Sequence, residues 1–252
     1  MTLTEYRQQL QNTKIYPDDP QYIAINNHKY KYKIELEPDT DCFAPTIRTL
    51  LFDWNERYCM GDYHDSGADD FLYNFVEQNT SPDVFNKLRE ACETADNPTS
   101  WCHILQSVPN VIATRLCVYE HSSVTLYRAP SRTDPWDTRS TVLAVYQYDN
   151  TLPVPENVTI ANQEIETYCK YFNGEVYTVS LFEPVTVTHT RTYIDGRTDT
   201  STETTYERCV TVCEVYDPPV NVLEAYNLLA RYSDDTVVLT PPTTPSTPEE
   251  TL

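Results

Sequence analysis

One dipeptide folds a long run of residues in this chain back on itself. Glu175 to Ile194 leads into Asp195-Gly196, and the chain returns through Tyr206 to Tyr216. An Asp-Gly pair supplies the positive backbone angles that tight hairpin turns demand, so these residues predict one long β-hairpin. A hairpin of that length commits the fold to an antiparallel sheet.

Further strands are expected around it. His28 to Leu36 sets Tyr30, Tyr32, Ile34 and Leu36 on one face and charged residues on the other, the period of a half-buried strand. Val111–Tyr119 and Val124–Tyr127 read as strands joined by residues 120–123, and Thr141–Tyr148 is rich in β-branched and aromatic residues. Thr46–Trp54 is apolar and short, a strand or a helical turn.

Helices are signalled by spacing and by caps. Thr2–Asn12 forms a short helix broken at Tyr16-Pro17-Asp18-Asp19-Pro20, and Pro38–Pro45 is an acidic loop. Asp69–Gln78 places Phe71, Leu72, Phe75 and Val76 at helical spacing. Ser81-Pro82-Asp83 opens a second stretch, carrying Val84, Phe85, Leu88, Ala91 and Cys92, which Asn97-Pro98 ends. Val158, Ala161, Ile165, Tyr168 and Phe172 share a face, with Gly174 placed as the terminating cap. A last helix with Val222, Leu223, Tyr226 and Leu229 is expected to start at Asp217-Pro218-Pro219. The expectation is α+β: a mixed, mainly antiparallel sheet with four or five helices and a disordered C-terminal tail. Residues 1–27 are read as an N-terminal helix and linker, 28–239 as a single domain, and 240–252 as a Thr/Pro-rich tail without core formers.

Composition narrows function. There are only four glycines, and neither GxGxxG nor GxxxxGK[ST] occurs, so nucleotide binding through those loops is excluded. The formal charge is −20, from 38 acids against 18 bases, which disfavours direct contact with a nucleic-acid backbone or an anionic membrane. The acidity fits general solubility, steering toward a basic protein surface, or imitation of DNA. Twenty tyrosines suit a sheet with half-exposed faces and equally suit protein recognition. No apolar run is long enough to span a membrane, and residues 1–10 lack a secretory pattern. The eight cysteines include no CxxC pair and are expected to be reduced and mostly buried rather than to bind zinc.

Three stretches carry a resemblance. The first runs from Thr49 to Asp65 and includes Arg57-Tyr58 and Gly61-Asp62-Tyr63-His64. The second is Tyr119-Glu120-His121-Ser122-Ser123-Val124-Thr125, followed by Pro135-Trp136-Asp137. The third is Glu164 to Tyr177, ending Tyr171-Phe172-Asn173-Gly174-Glu175-Val176-Tyr177. In order and spacing these resemble an uncharacterised family of small proteins encoded by phages and plasmids, over roughly residues 31–232. The resemblance implies a phage or mobile element in the cytoplasm of a bacterial host, and no mechanism. Ser123 departs from a family glycine, the hairpin from Phe182 to Glu207 is longer, and the acidic tail is an addition.

Candidate site residues follow from these stretches. Asp62, His64 and His121, with Asp137, could hold a divalent metal or supply a general base; equally, each His could cap a local turn. Ser122 beside His121 makes a poor nucleophile, since neighbours on a strand point to opposite faces. Arg57 and Tyr58 could clamp an anion, or Arg57 could pair with Asp62. Cys169 lies on the apolar side of its helix, and Trp136 anchors a loop. Tyr119, Thr125, Tyr171 and Tyr177 complete the expected binding set.

The leading expectation is an accessory protein that needs no cofactor and binds a basic-surfaced host protein, inhibiting a defence or DNA-processing factor. The alternatives are a metal- or ligand-dependent enzyme using Asp62, His64 and His121, and a virion-associated structural protein.

Overall fold

The structure, a computed structural model, describes residues 1–26, 30–42, 44–54, 60–120, 124–128, 138–233 and 237–242. In chain order the elements are α1 (Leu3–Asn12), β1 (Gln21–Ile23), β2 (Tyr32–Pro38), β3 (Leu50–Asp53), β4 (Tyr63–His64), α2 (Asp65–Asn79), α3 (Pro82–Thr94) and α4 (Pro98–Leu105). They continue as β5 (Val111–Glu120), β6 (Val124–Tyr127), β7 (Thr138–Gln147), α5 (Val154–Phe172), β8 (Tyr177–Thr192), β9 (Thr198–Val215) and α6 (Val222–Tyr232). The fold is α+β, with two mainly antiparallel sheets in place of the one expected, and with six helices among the described residues.

The chain forms two compact units: residues 1–42 with 176–252, and residues 43–175. In the first, the sheet order is β1-β2-β8-β9, antiparallel throughout. Its inward residues Ile23, Tyr32, Ile34, Leu36, Val179 and Leu181 pack with Tyr6 and Leu10 of α1 and with Val222, Ala225, Tyr226 and Leu229 of α6. Within the segment read as helix and linker, Tyr6, Leu10, Ile15, Ile23 and Ile25 belong to this core. Thr2 caps α1 by accepting from the Glu5 amide, while the Glu5 carboxylate accepts from the Thr2 amide. The Tyr6 hydroxyl accepts from the Ala24 amide at 2.7 Å. At the other end Leu239 is 3% exposed and the Thr240 amide donates to the Ala24 carbonyl, so order reaches past the expected boundary at 239. Residues 243–252, most of the expected tail, lie outside the described residues.

The second unit has a five-stranded sheet in the order β4-β3-β7-β5-β6, with β3 and β4 parallel. Helices α2, α3 and α4 cover one face through Phe52, Leu72, Val76, Phe85, Trp101, Leu105 and Leu143. Helix α5 covers the other through Leu51, Leu116, Leu126, Val142, Ile165 and Tyr168. Burial on both faces explains why Leu50-Leu51-Phe52 and Val142-Leu143-Ala144-Val145 are continuous apolar runs.

Three helix boundaries differ from expectation: helix α2 starts at Asp65, a full turn before the expected Asp69, and two more shift at their caps. Asn97-Pro98 opens α4: the Asn97 Oδ1 accepts from the Thr99 and Ser100 amides at 3.0 Å each, and Pro98 occupies the first turn, where its missing N–H costs nothing. Helix α6 begins after Asn221, whose Oδ1 accepts from the Glu224 amide at 3.0 Å, rather than at Asp217-Pro218-Pro219.

Candidate functional site

Asp62 is held by the fold. Gly61 at φ +110° lies so close to Leu51 that an added Cβ would meet the Leu51 Cβ at 2.7 Å and its carbonyl oxygen at 2.8 Å. That approach lets the Asp62 amide donate to the Leu51 carbonyl at 2.9 Å, while the Leu51 amide donates to the Asp62 Oδ2 at 2.7 Å. The Tyr168 hydroxyl donates to the same oxygen at 3.3 Å. Burial raises the pKa of the Tyr168 hydroxyl well above the usual phenol value, and the adjacent Asp62 charge pushes in the same direction. Asp62 therefore latches β3 and α5 to its own loop.

His64 ends β4 beside Asp53 of β3, in parallel register. It occupies the cap position of α2 without a side-chain cap bond, and its buried Nδ1 has no hydrogen-bond partner among the described residues. Asp53, which sequence reasoning passed over, is 1% exposed and accepts from the Met60 amide at 3.0 Å. The only advance signal was a carboxylate closing an apolar run. Among the described residues no three His, Cys, Asp or Glu side chains gather as metal ligands.

Tyr119 and Thr125 are cross-strand neighbours on β5 and β6, with the Tyr119 ring edge-on to Tyr127 at 5.6 Å. Tyr171 stacks edge-on against Phe172 at 5.1 Å. Tyr177 belongs to the other unit, where it lines an apolar groove of about 290 Å³ with Tyr16, Pro17, Leu36 and Pro218. Arg57, Tyr58, His121, Ser122, Trp136 and Asp137 lie outside the described residues. Cys169 is buried in the α5 core as expected, with its thiol pushed up to about 11 by that burial.

The long hairpin builds a surface that the motifs did not flag. Strand β2 accompanies β8 only as far as the Lys33–Phe182 pair. Beyond it, among the described residues, β8 and β9 continue as a two-stranded arm, about 33 Å long at ~3.3 Å per residue. Its turn is closed by the Tyr193 amide donating to the Arg197 carbonyl at 2.8 Å and the Gly196 amide donating to the Tyr193 carbonyl at 2.9 Å, with Gly196 at φ +84°. The guanidinium groups of Arg191 and Arg197 lie over the Tyr193 ring, and Ile194 at the tip is fully exposed.

The arm segregates its side chains. One face is a threonine ladder, pairing Thr186 with Thr204, Thr188 with Thr202, Thr190 with Thr200 and Thr192 with Thr198. The reverse carries Glu183, Val185, Val187, His189 and Arg191 from β8 and Glu207, Thr205, Glu203, Ser201 and Asp199 from β9. Two-stranded ribbons are marginal alone. Cross-strand threonine pairs, each worth about 0.2–1 kcal/mol, and the His189–Glu203 contact at 2.9 Å support this one. Glu183 opposite Glu207 works against it. At the base, the outward face sets the Lys33 ammonium 4.1 Å from the centre of the Phe182 ring and 2.7 Å from Glu35. Arg208 lies over the same ring at 5.2 Å, with Glu37 at 3.9 Å and Tyr22 packed on Tyr206 beside it. Aromatic rings with flanking carboxylates are thus already holding cations within the chain.

Compared with protein families, characterised proteins and solved structures, the chain matches none.

Proposed function

We propose that this protein is a non-enzymatic binding protein that docks a partner with a basic surface. The observation that carries the reading is the arm, whose reverse face exposes Glu183 and Glu207 at its base and Asp199 and Glu203 farther out. An arm that buries so little of itself adds marginal stability, and its carboxylates add mutual repulsion; both features suit a surface that gains from an incoming cation. The aromatic and acidic base of the arm, where Lys33 and Arg208 sit over Phe182, offers a partner's Lys or Arg the same chemistry. The resemblance to phage and plasmid proteins supplies the setting: an accessory protein acting on a host factor, for which a component of antiviral defence is the proposed class. The Asp62 carboxylate already accepts from the Leu51 amide and the Tyr168 hydroxyl, which supports binding over catalysis.

The test is affinity capture from a bacterial host lysate with the purified chain, followed by a salt gradient. The reading expects a basic protein released by rising salt, since exposed charge pairs are screened. Failure to capture any salt-released basic protein at micromolar concentrations would overturn it.

A further inference from the structure

We propose that the outer edge of β9 takes up an extended, basic segment of the partner as an additional strand; this rests on the reading that the partner is cationic. Strand β9 is the terminal strand in the order β1-β2-β8-β9, so none of the described strands pairs with its outer side. The turn fixes which amides face outward. In an antiparallel ladder hydrogen-bonded pairs alternate with open pairs. Counting back from the bonded Tyr193–Arg197 site, the pairs Arg191–Asp199, His189–Ser201 and Val187–Glu203 are bonded, and the threonine pairs are open. The N–H and C=O groups of Thr198, Thr200, Thr202 and Thr204 therefore point away from β8 toward the free edge. Edges of this kind are templates for another strand, and proteins usually blunt them with Pro, Lys or bulges. Between Thr198 and Tyr206 there is neither Pro nor Lys, and the register shifts lie nearer the base.

The charges specify the newcomer. Asp199, Glu203 and Glu207 share one face at a spacing of four. Toward an added strand these residues form the open pairs, where facing side chains come closest. Arg191 faces Asp199 and His189 contacts Glu203, but Glu207 faces another carboxylate, Glu183, so cations on the newcomer relieve an existing repulsion. A second copy of the arm would instead add three more carboxylates to the same face. The fitting segment is extended, with Lys or Arg on alternate residues and small β-formers between them.

The probe is a capped peptide of about ten residues alternating Lys and Thr, titrated into the full chain at low salt. Two N-methylated versions separate strand addition from simple charge attraction. The Thr residues of the peptide must direct their N–H groups at β9, whereas the Lys N–H groups face away. Methylating the Thr amides should therefore weaken binding by about tenfold or more, and methylating the Lys amides should leave it nearly unchanged. Glu203→Lys should weaken binding of the Lys-Thr peptide several-fold, because its lysines would then face a cation between Asp199 and Glu207. If the parent peptide binds and both methylated versions bind equally well, strand addition is overturned while cationic docking stands. If the parent peptide does not bind, or if sedimentation shows the free arm already occupied in a dimer, this edge is not the site, whatever the lysate capture gives.

Discussion

Gly61 and Asp62 act as one device. The glycine admits the backbone approach to Leu51, and the aspartate uses that approach to accept from the Leu51 amide and the Tyr168 hydroxyl. Gly61→Ala should lower unfolding free energy by about 2 kcal/mol or more, because the added Cβ collides with backbone at a positive φ. Asp62→Ala should cost about 1–3 kcal/mol by stranding two donors, and Asp62→Asn, which keeps one accepting oxygen, should cost less; urea denaturation measures each. Asp149 supplies a pH dependence. Hydrogen bonds from the Thr151 hydroxyl and amide, then Arg48, hold its carboxyl at about 2, below the ordinary 3.8. A depressed folded value means that the contribution is complete above the unfolded value and disappears as pH falls toward about 2. The stability difference between wild type and Asp149→Asn should be constant above that range and vanish at its acid end. Sequence reading flagged Asp62 through its loop and its neighbours, but could not show that the loop returns to Leu51. Asp53 was missed for the same reason: the Met60 amide that it accepts from becomes its neighbour only through tertiary folding.

Elements with strong local chemistry were legible in advance. Helix α5 buries Ala161, Ile165 and Tyr168 of its expected apolar face but leaves Val158 exposed, Ser81 caps α3 by accepting from the Val84 amide, and the Asp-Gly turn falls where the hairpin required it. Helix α4 was missed because Asn97-Pro98 marks a start as readily as a stop, and the eight residues that follow are too few for a clear period. The division into two sheets was also hidden, since strand order depends on pairings far apart in the chain: β2 joins β8, and β3 joins β7. The hairpin carries its own prediction. Amides of residues 178–182, within the four-stranded sheet, should be strongly protected from hydrogen exchange. Along the arm protection should alternate, with Asp199, Ser201 and Glu203 slower than Thr198, Thr200, Thr202 and Thr204. Uniform protection along β9 would contradict the bonding pattern.

At the scale of the molecule, residues 43–175 are an insertion between β2 and β8. The two ends of that insertion leave the first unit side by side, as the Asp39 amide donates to the Val176 carbonyl at 2.8 Å. The chain's charge of −20 has a directed component where the arm carries carboxylates away from the core. In the proposed function this arm receives a cationic partner along β9. The most direct measurement is to titrate the ¹⁵N-labelled chain with the Lys-Thr peptide and follow each amide. Salt-sensitive shifts, and newly acquired exchange protection, are expected to concentrate at Thr198, Thr200, Thr202 and Thr204. Shifts confined to residues 43–175, or an unperturbed β9 at saturating peptide, would contradict it.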